Sequence, residues 1–233
     1  MVKKLIDLMT ILAWNVYIGN DPDRVRKAIK AFAQAFSPEI FALSEASKLF
    51  GHLDGMGYQV VQLRPRSRRR GSQPAQGDIA LLVRHDLKIV KRKAMRHKSF
   101  WRGPKHGWTQ DPKVYRWVLV EFDGRTWKIM GAHFPFGAAA RSETVRKVVQ
   151  WLRNVVPGRP TVIVLDANMR LDEFKVRVAE PGDAEAEGAG IDLAAYKNCI
   201  LVNQKNLGKG ISDHPAKKYE FKAKRRGLSR RRK

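Results

Sequence analysis

Short apolar runs alternate with polar breaks along the whole chain. Residues 8–14 form the first run. It ends in Asn15 and a turn-rich exit, so it predicts a central strand that delivers Asn15 to a loop. The period then becomes helical. Val25, Ile29, Phe32, Ala33 and Phe36 share one face, Asp21 is placed to cap with Pro22 at the first helical position, and Ser37-Pro38 stops the helix. The core of residues 39–45 is apolar without alternation, as in a strand buried on both faces. Strands are also predicted at 58–63 and 77–83, with 87–90 as hairpin partner of the latter. A hairpin at 114–122 and 125–132 turns on Asp123-Gly124. An amphipathic helix follows at 141–154, with Val145, Val148, Val149 and Leu152 on one side. Residues 159–168 form a β-branched strand ending in Asp166 and Asn168, 172–190 read as an acidic variable loop, and 199–202 as a strand. A polar loop, 203–210, leads into Ser212-Asp213-His214, and 219–221 read as a last strand.

The polar residues recur where strands end. This is the layout of an α/β sandwich whose loops converge at one end of the sheets. A carboxylate closing a buried strand is costly unless it is paired or bound to a cation. Glu45 therefore reads as a metal ligand; the alternative is a helix cap for 46–53. Asp166 and Asn168 share a face if their strand continues, and then address one ligand or water; the alternative is an Asx-turn. His133 leaves a strand into a Pro/Gly loop and is poorly explained as core.

Charge narrows the partner. The chain of 233 residues has 46 Lys and Arg against 22 Asp and Glu, a net charge of +24. Such a field concentrates polyanions, and the expected partner is nucleic acid, DNA before RNA. The alternatives are an anionic membrane surface or a merely solvated basic surface. Residues 64–74 carry five Arg, including Arg68, Arg69 and Arg70, and form a surface loop suited to phosphate. Residues 91–110 interleave Lys and Arg with Phe100, Trp101 and Trp108. Residues 222–233 hold eight Lys or Arg, including Arg225 and Arg226. They read as a disordered tail after a single domain, 1–221, and as a non-specific grip on polyanions. Cys199 is the only cysteine, which excludes an intrachain disulfide and fits a reducing, cytoplasmic setting. Small size and a basic tail suit a phage-encoded protein acting in a host cell. Residues 1–12 have a faint signal-peptide shape, but Asp7 and Thr10 interrupt it and a strand is expected instead. No apolar run reaches the roughly 18 residues of a membrane span, and a monomer is expected.

Asn15, Glu45, the Gly77-Asp78 strand, His133, Asp166-x-Asn168, Asp192 and Ser212-Asp213-His214 occur in an order that resembles the endonuclease/exonuclease/phosphatase superfamily. That superfamily includes deoxyribonuclease I, exonuclease III-type repair enzymes, sphingomyelinases and inositol-polyphosphate phosphatases. The resemblance covers residues 8–219. It implies a four-layer α/β sandwich, two packed and mostly antiparallel sheets flanked by helices. It also implies hydrolysis of a phosphate ester by an activated water with Mg²⁺ or Mn²⁺. Carried over by position, Glu45 is the principal metal ligand, helped by Asn15 and Asp213. Asp166 and Asn168 orient or deprotonate the water. His214 contacts the phosphate or acts as base, and Asp192 orients it. His133 contacts a non-bridging oxygen or assists the leaving group, and Arg116 contacts phosphate. The chain departs from the pattern with Ser44 for the usual Gln, Gly131-Ala132 for Asn-Thr, and Tyr115-Arg116 for Pro-Arg. His133 resembles the deoxyribonuclease I, sphingomyelinase and phosphatase branches more than abasic-site enzymes, which have Tyr there. The expectation is a metal-dependent nuclease. The alternatives are a phosphatase or phosphodiesterase on a small or lipid phosphoester, and a nucleic-acid-binding module with a decayed site.

Overall fold

Two six-stranded sheets lie face to face in the computed structural model, which describes residues 8–17, 19–49, 51–61, 79–96, 114–134 and 138–224. Strand β1 (Met9–Asn15) leads through α1 (Pro22–Phe36) to β2 (Ile40–Ser44), which pairs with β1 in parallel. Asp21 caps α1, its Oδ1 accepting from Asp23 N at 2.8 Å, and Ser37 ends it in the left-handed region at φ 43. β3 (Tyr58–Val61) and β4 (Ala80–Arg84) follow. β11 (Cys199–Asn206) and β12 (Lys217–Ala223) complete the first sheet, in the order β11-β12-β1-β2-β4-β3.

The second sheet begins with β5 (Lys88–Arg96), then β6 (Val114–Phe122) and β7 (Arg125–His133), joined at Asp123-Gly124. α2 (Ala138–Arg153) carries the chain to β8 (Thr161–Asp166), parallel to β7. α3 (Leu171–Phe174) runs into a π-helical turn, Lys175–Ala179, before β9 (Glu185–Ala189) and β10 (Asp192–Lys197). The order is β5-β6-β7-β8-β10-β9.

The core lies in three slabs. Ile11, Ile40, Leu81, Val118, Ile129, Val164 and Tyr219 fill the space between the sheets. Leu12, Trp14, Phe41 and Leu43 pack the outer face of the first sheet under Val25 and Ile29 of α1. Met130, Ile163 and Leu165 do the same for the second sheet under Val148 and Leu152 of α2, with Phe174 and Val178. All five β2 side chains are buried because both of its faces are covered. Truncating Phe41 to Ala would cost about 3–5 kcal/mol in transfer and cavity energy. Gly131 lets the sheets close together: a Cβ there would lie 2.7 Å from Ile79 Cγ2 and 3.0 Å from Leu81 Cδ2.

The four-layer expectation holds, and five local readings are corrected. Residues 87–90 do not pair with β4, because β2 and β3 already occupy both of its edges. Residues 88–90 belong to β5, which pairs with β6 in the other sheet. The 172–190 stretch is not a loop. Phe174, Val178 and Ala179 are buried along its helical part, and Ala186 of β9 faces inward among acidic neighbours. Residues 203–206 continue β11, and are polar because an edge strand there faces solvent. The strand does not continue past Asp166, so Asp166 and Asn168 do not share a strand face; Asn168 lies at φ 46. The loop with Arg68, Arg69 and Arg70, residues 97–110, and residues 225–233 of the tail, with Arg225 and Arg226, lie outside the described residues. The start of that tail is not disordered: residues 222 and 223 belong to β12, and Lys224 pairs with Glu185 at 2.8 Å.

Candidate active site

The ends of β1, β2, β7 and β8 and the start of β10 meet at one edge of the two sheets, with the 207–216 connection folded over them. Asp166 is the hub. Its Oδ2 lies 3.1 Å from Asn15 Nδ2, 3.6 Å from His133 Nε2 and 3.8 Å from His214 Nε2. Its Oδ1 accepts from Asn168 N at 3.1 Å, the Asx-turn alternative read from the sequence. The Asp166 side chain is 2% exposed, and burial, then the charge of Asp192, holds its carboxyl above the usual carboxylate range. A second buried acid shows the contrast. Glu39, at the far end of the same sheet as β1, is satisfied by Arg84 at 2.7 Å. No Lys or Arg among the described residues forms an ion pair with Asp166; amide and imidazole groups surround it instead.

Asn15 joins the two acids. Its Nδ2 donates to Glu45 Oε1 at 3.2 Å as well as to Asp166, while its Oδ1 accepts from Tyr17 N at 3.0 Å. The amide nitrogen thus faces the carboxylates; ligation through Oδ1 would require the amide to turn. Glu45 sits at φ 57 just past β2, its Oε1 4.0 Å from His133 Nε2. Asn168 donates through Nδ2 to Phe134 O at 2.6 Å and so props the residue after His133.

His214 is held on every side. Its Nδ1 lies 3.2 Å from Asp192 Oδ1 and 3.4 Å from Oδ2, leaving Nε2 toward Asp166. The hydrogen bond to Asp192 is the main reason its pKa is raised to about 9, so at neutral pH the ring is charged. Ser212 Oγ donates to Asn15 O at 2.6 Å and accepts from His214 N at 3.1 Å. Trp14 Nε1 donates to His214 O at 3.2 Å. Asp213 is exposed, its Oδ1 3.3 Å from Ser212 Oγ. Arg116 sits opposite Gly131 on β6, 2% exposed, on the strand face that carries His133.

Two residues here escaped the sequence reading. Lys217 is 2% exposed, and its Nζ donates to Ala189 O and to Asp192 O, the latter at 2.9 Å. It ties β12 of the first sheet to the β9–β10 turn of the second, and burial holds its pKa below the usual lysine value. Its signal was the alternation Lys217, Tyr219, Phe221, which puts all three on the inward face. Tyr17, the partner of Asn15 Oδ1, gave no signal, because exposure cannot be read from one tyrosine in a turn.

Oxygen donors suited to a hard cation converge here. Glu45 and Asp166 are bridged by one amide, and Asp166 remains hard to ionise without added positive charge. Asp166, Asp192 and His214 also offer one ligand atom each within 4.8 Å. In that second set His214 can offer Nε2 while Nδ1 stays on Asp192, so two donor sets that share Asp166 meet at this edge.

No protein-family model matches the chain, and no curated protein matches it in sequence. Solved structures do match. One is an endonuclease/exonuclease/phosphatase from Bacteroides vulgatus, 13% identical over 94% of this chain and 100% of that one, with a TM-score of 0.70. D. rerio TDP2 complexed with single strand DNA product is 14% identical over 93% and 100%, with a TM-score of 0.72. A mannosyl-6-phosphatase from Bacteroides thetaiotaomicron is 16% identical over 91% and 99%, with a TM-score of 0.71. The chain has the deoxyribonuclease I-like fold of the endonuclease/exonuclease/phosphatase superfamily. At such identity the likeness carries the fold, and the chemistry rests on the residues above. Within this endonuclease/exonuclease/phosphatase fold, the described residues include no helix long and apolar enough to cross a membrane.

Proposed function

We propose that the chain hydrolyses phosphodiester bonds of nucleic acid, DNA before RNA, with Mg²⁺ or Mn²⁺. The observation that carries this is the convergence of Asn15, His133 and His214 on Asp166 Oδ2, beside Glu45. Glu45 would hold the cation, with Asp213, and with Asn15 once its amide turns, as further oxygen donors. When bound, it neutralises phosphate charge and polarises phosphorus. The chain does the rest. Asp166, with a raised pKa, accepts a proton from water more readily than an ordinary carboxylate. His214, charged through Asp192, holds a non-bridging oxygen and stabilises the charge that develops there. His133 donates toward the leaving group, and Asn168 keeps its loop in place. Lys217 fixes the backbone of Asp192.

The net charge of +24 supports nucleic acid as the substrate. Arg116, Arg68, Arg69, Arg70, Arg225 and Arg226 are its proposed phosphate contacts, with the basic tail beyond β12 as the grip. A second reading, a phosphatase on a small phosphoester, is favoured by the mannosyl-6-phosphatase that shares the fold. Plasmid nicking with Mg²⁺, with chelator, and beside hydrolysis of p-nitrophenyl phosphate separates the two. Nicking that survives His214→Ala or the chelator refutes the mechanism. Phosphatase activity without nicking selects the second reading.

A further inference from the structure

The large apolar side chains left exposed among the described residues are Val90, Val156, Val176, Ile200, Val202 and one aromatic ring, Tyr17. Tyr17 lies two residues beyond Asn15, where the chain leaves β1 at the active-site edge, and it is 48% exposed. Its backbone is left-handed at φ 55, a region an L side chain rarely adopts. Three hydrogen bonds keep it there. Asn15 Oδ1 accepts from Tyr17 N at 3.0 Å, Tyr17 O accepts from Asn20 N at 2.9 Å, and Asn20 Nδ2 donates to Val16 O at 2.7 Å. The ring lies against Gly19, where a Cβ would come within 2.6 Å of Cε1 and 3.0 Å of Cζ. One side of the ring is backed by main chain, and about half of the side chain stays in solvent.

Strained backbone that leaves about half of a tyrosine side chain in water costs the folded chain free energy and returns little packing. The same Asn15 that fixes this turn also bridges Glu45 and Asp166. Ring and carboxylates are therefore held in one frame, and the arrangement is explained by a flat partner beside the reacting phosphate. We propose that Tyr17 is a stacking platform for the nucleobase next to the scissile phosphate. The preferred substrate is then a nucleotide free to leave its neighbours, as in single strands, frayed ends or gaps, rather than a base closed inside a duplex. This rests on the nucleic-acid reading given above.

The test walks one abasic position past the cleavage site in single-stranded oligonucleotides, with kcat/KM measured for wild type, Tyr17→Trp, Tyr17→Ala and Gly19→Ala. Stacking on one base is worth roughly a 5- to 150-fold change. Wild type and Tyr17→Trp should lose that factor when one flanking base is missing. Tyr17→Ala should have lost it on the intact oligonucleotide already, and show no further loss at that position. Gly19→Ala, which keeps the ring but displaces it, should resemble Tyr17→Ala. A wild type that cleaves normally, with equal abasic penalties in Tyr17→Ala, overturns the stacking role alone. A wild type that hydrolyses p-nitrophenyl phosphate but no oligonucleotide overturns the nucleic-acid reading, and the platform with it.

Discussion

The first sheet and the second are built on one plan. β1 passes through α1 to the parallel β2, and β7 passes through α2 to the parallel β8. β12 flanks β1 as β6 flanks β7, and β4 and β3 continue beyond β2 as β10 and β9 continue beyond β8. The register repeats at the end of each parallel pair. Asn15 faces Ser44, and Val16 N donates to Ser44 O at 3.0 Å. His133 faces Asp166, and Phe134 N donates to Asp166 O at 2.8 Å. The acids differ by one residue. Asp166 takes the last paired position and is drawn between the layers, with a side chain 2% exposed. Glu45 comes one residue after the paired Ser44, on left-handed backbone, and is 20% exposed. That single step separates a buried carboxyl that keeps its proton longer from one that faces solvent. On the proposed reading, a frame used twice yields a proton acceptor and a cation ligand, not two copies of either.

The comparison breaks hardest at the two equivalent positions. Asp166→Asn should lower kcat roughly a thousandfold, while Ser44→Ala should leave it within about threefold. Equal losses in a nicking assay would mean that strand position matters and charge does not. The less buried acid should respond through the metal. Glu45→Gln is expected to raise the Mg²⁺ needed for half-maximal rate by about 10- to 100-fold, and chelator should abolish turnover of the wild type.

The next effect concerns the residue that one sheet lends to the other. His214 comes from the β11–β12 connection, and Asp192 of the second sheet raises its pKa from 6.5 to about 9. In chelator, the stability from this pair is complete below about pH 6.5. It is lost as pH climbs through about 9, where the folded chain also releases the proton. Urea unfolding of wild type between pH 6 and 10 should show a decline of about 2–3 kcal/mol from this source. Asp192→Asn should remove most of that slope. The smallest effect is structural: Asp21→Ala, at the cap of α1, should cost about 1 kcal/mol in thermal unfolding and leave kcat unchanged.

Much of the frame was legible because its signals are local. Asp21-Pro22 and Ser37 mark the ends of α1, Asp123-Gly124 marks the β6–β7 turn, and unbroken apolar runs mark β2 and β8. The order of polar residues at strand ends was readable for the same reason. Pairing across sheets was not. Nothing in residues 87–90 says that both edges of β4 are taken. The 172–190 stretch hid because small side chains such as Ala179 and Ala186 bury well but carry little hydrophobic signal. The central place of Asp166 was also hidden. Three partners reach its Oδ2 from β1, β7 and the 207–216 connection, and no spacing along the chain encodes that meeting.

Ser212 Oγ rests on the carbonyl of Asn15, and β12 lies between β11 and β1 inside the first sheet. These contacts join residues nearly two hundred positions apart. A chain still on the ribosome, with 212–223 in the exit tunnel, has Asn15, Glu45, His133 and Asp166 in hand but no His214 to set beside them. Such long-range closure is slow compared with local hairpins. On the proposed reading, the site is complete only once β12 has entered the sheet, because that step brings His214 to Asp166.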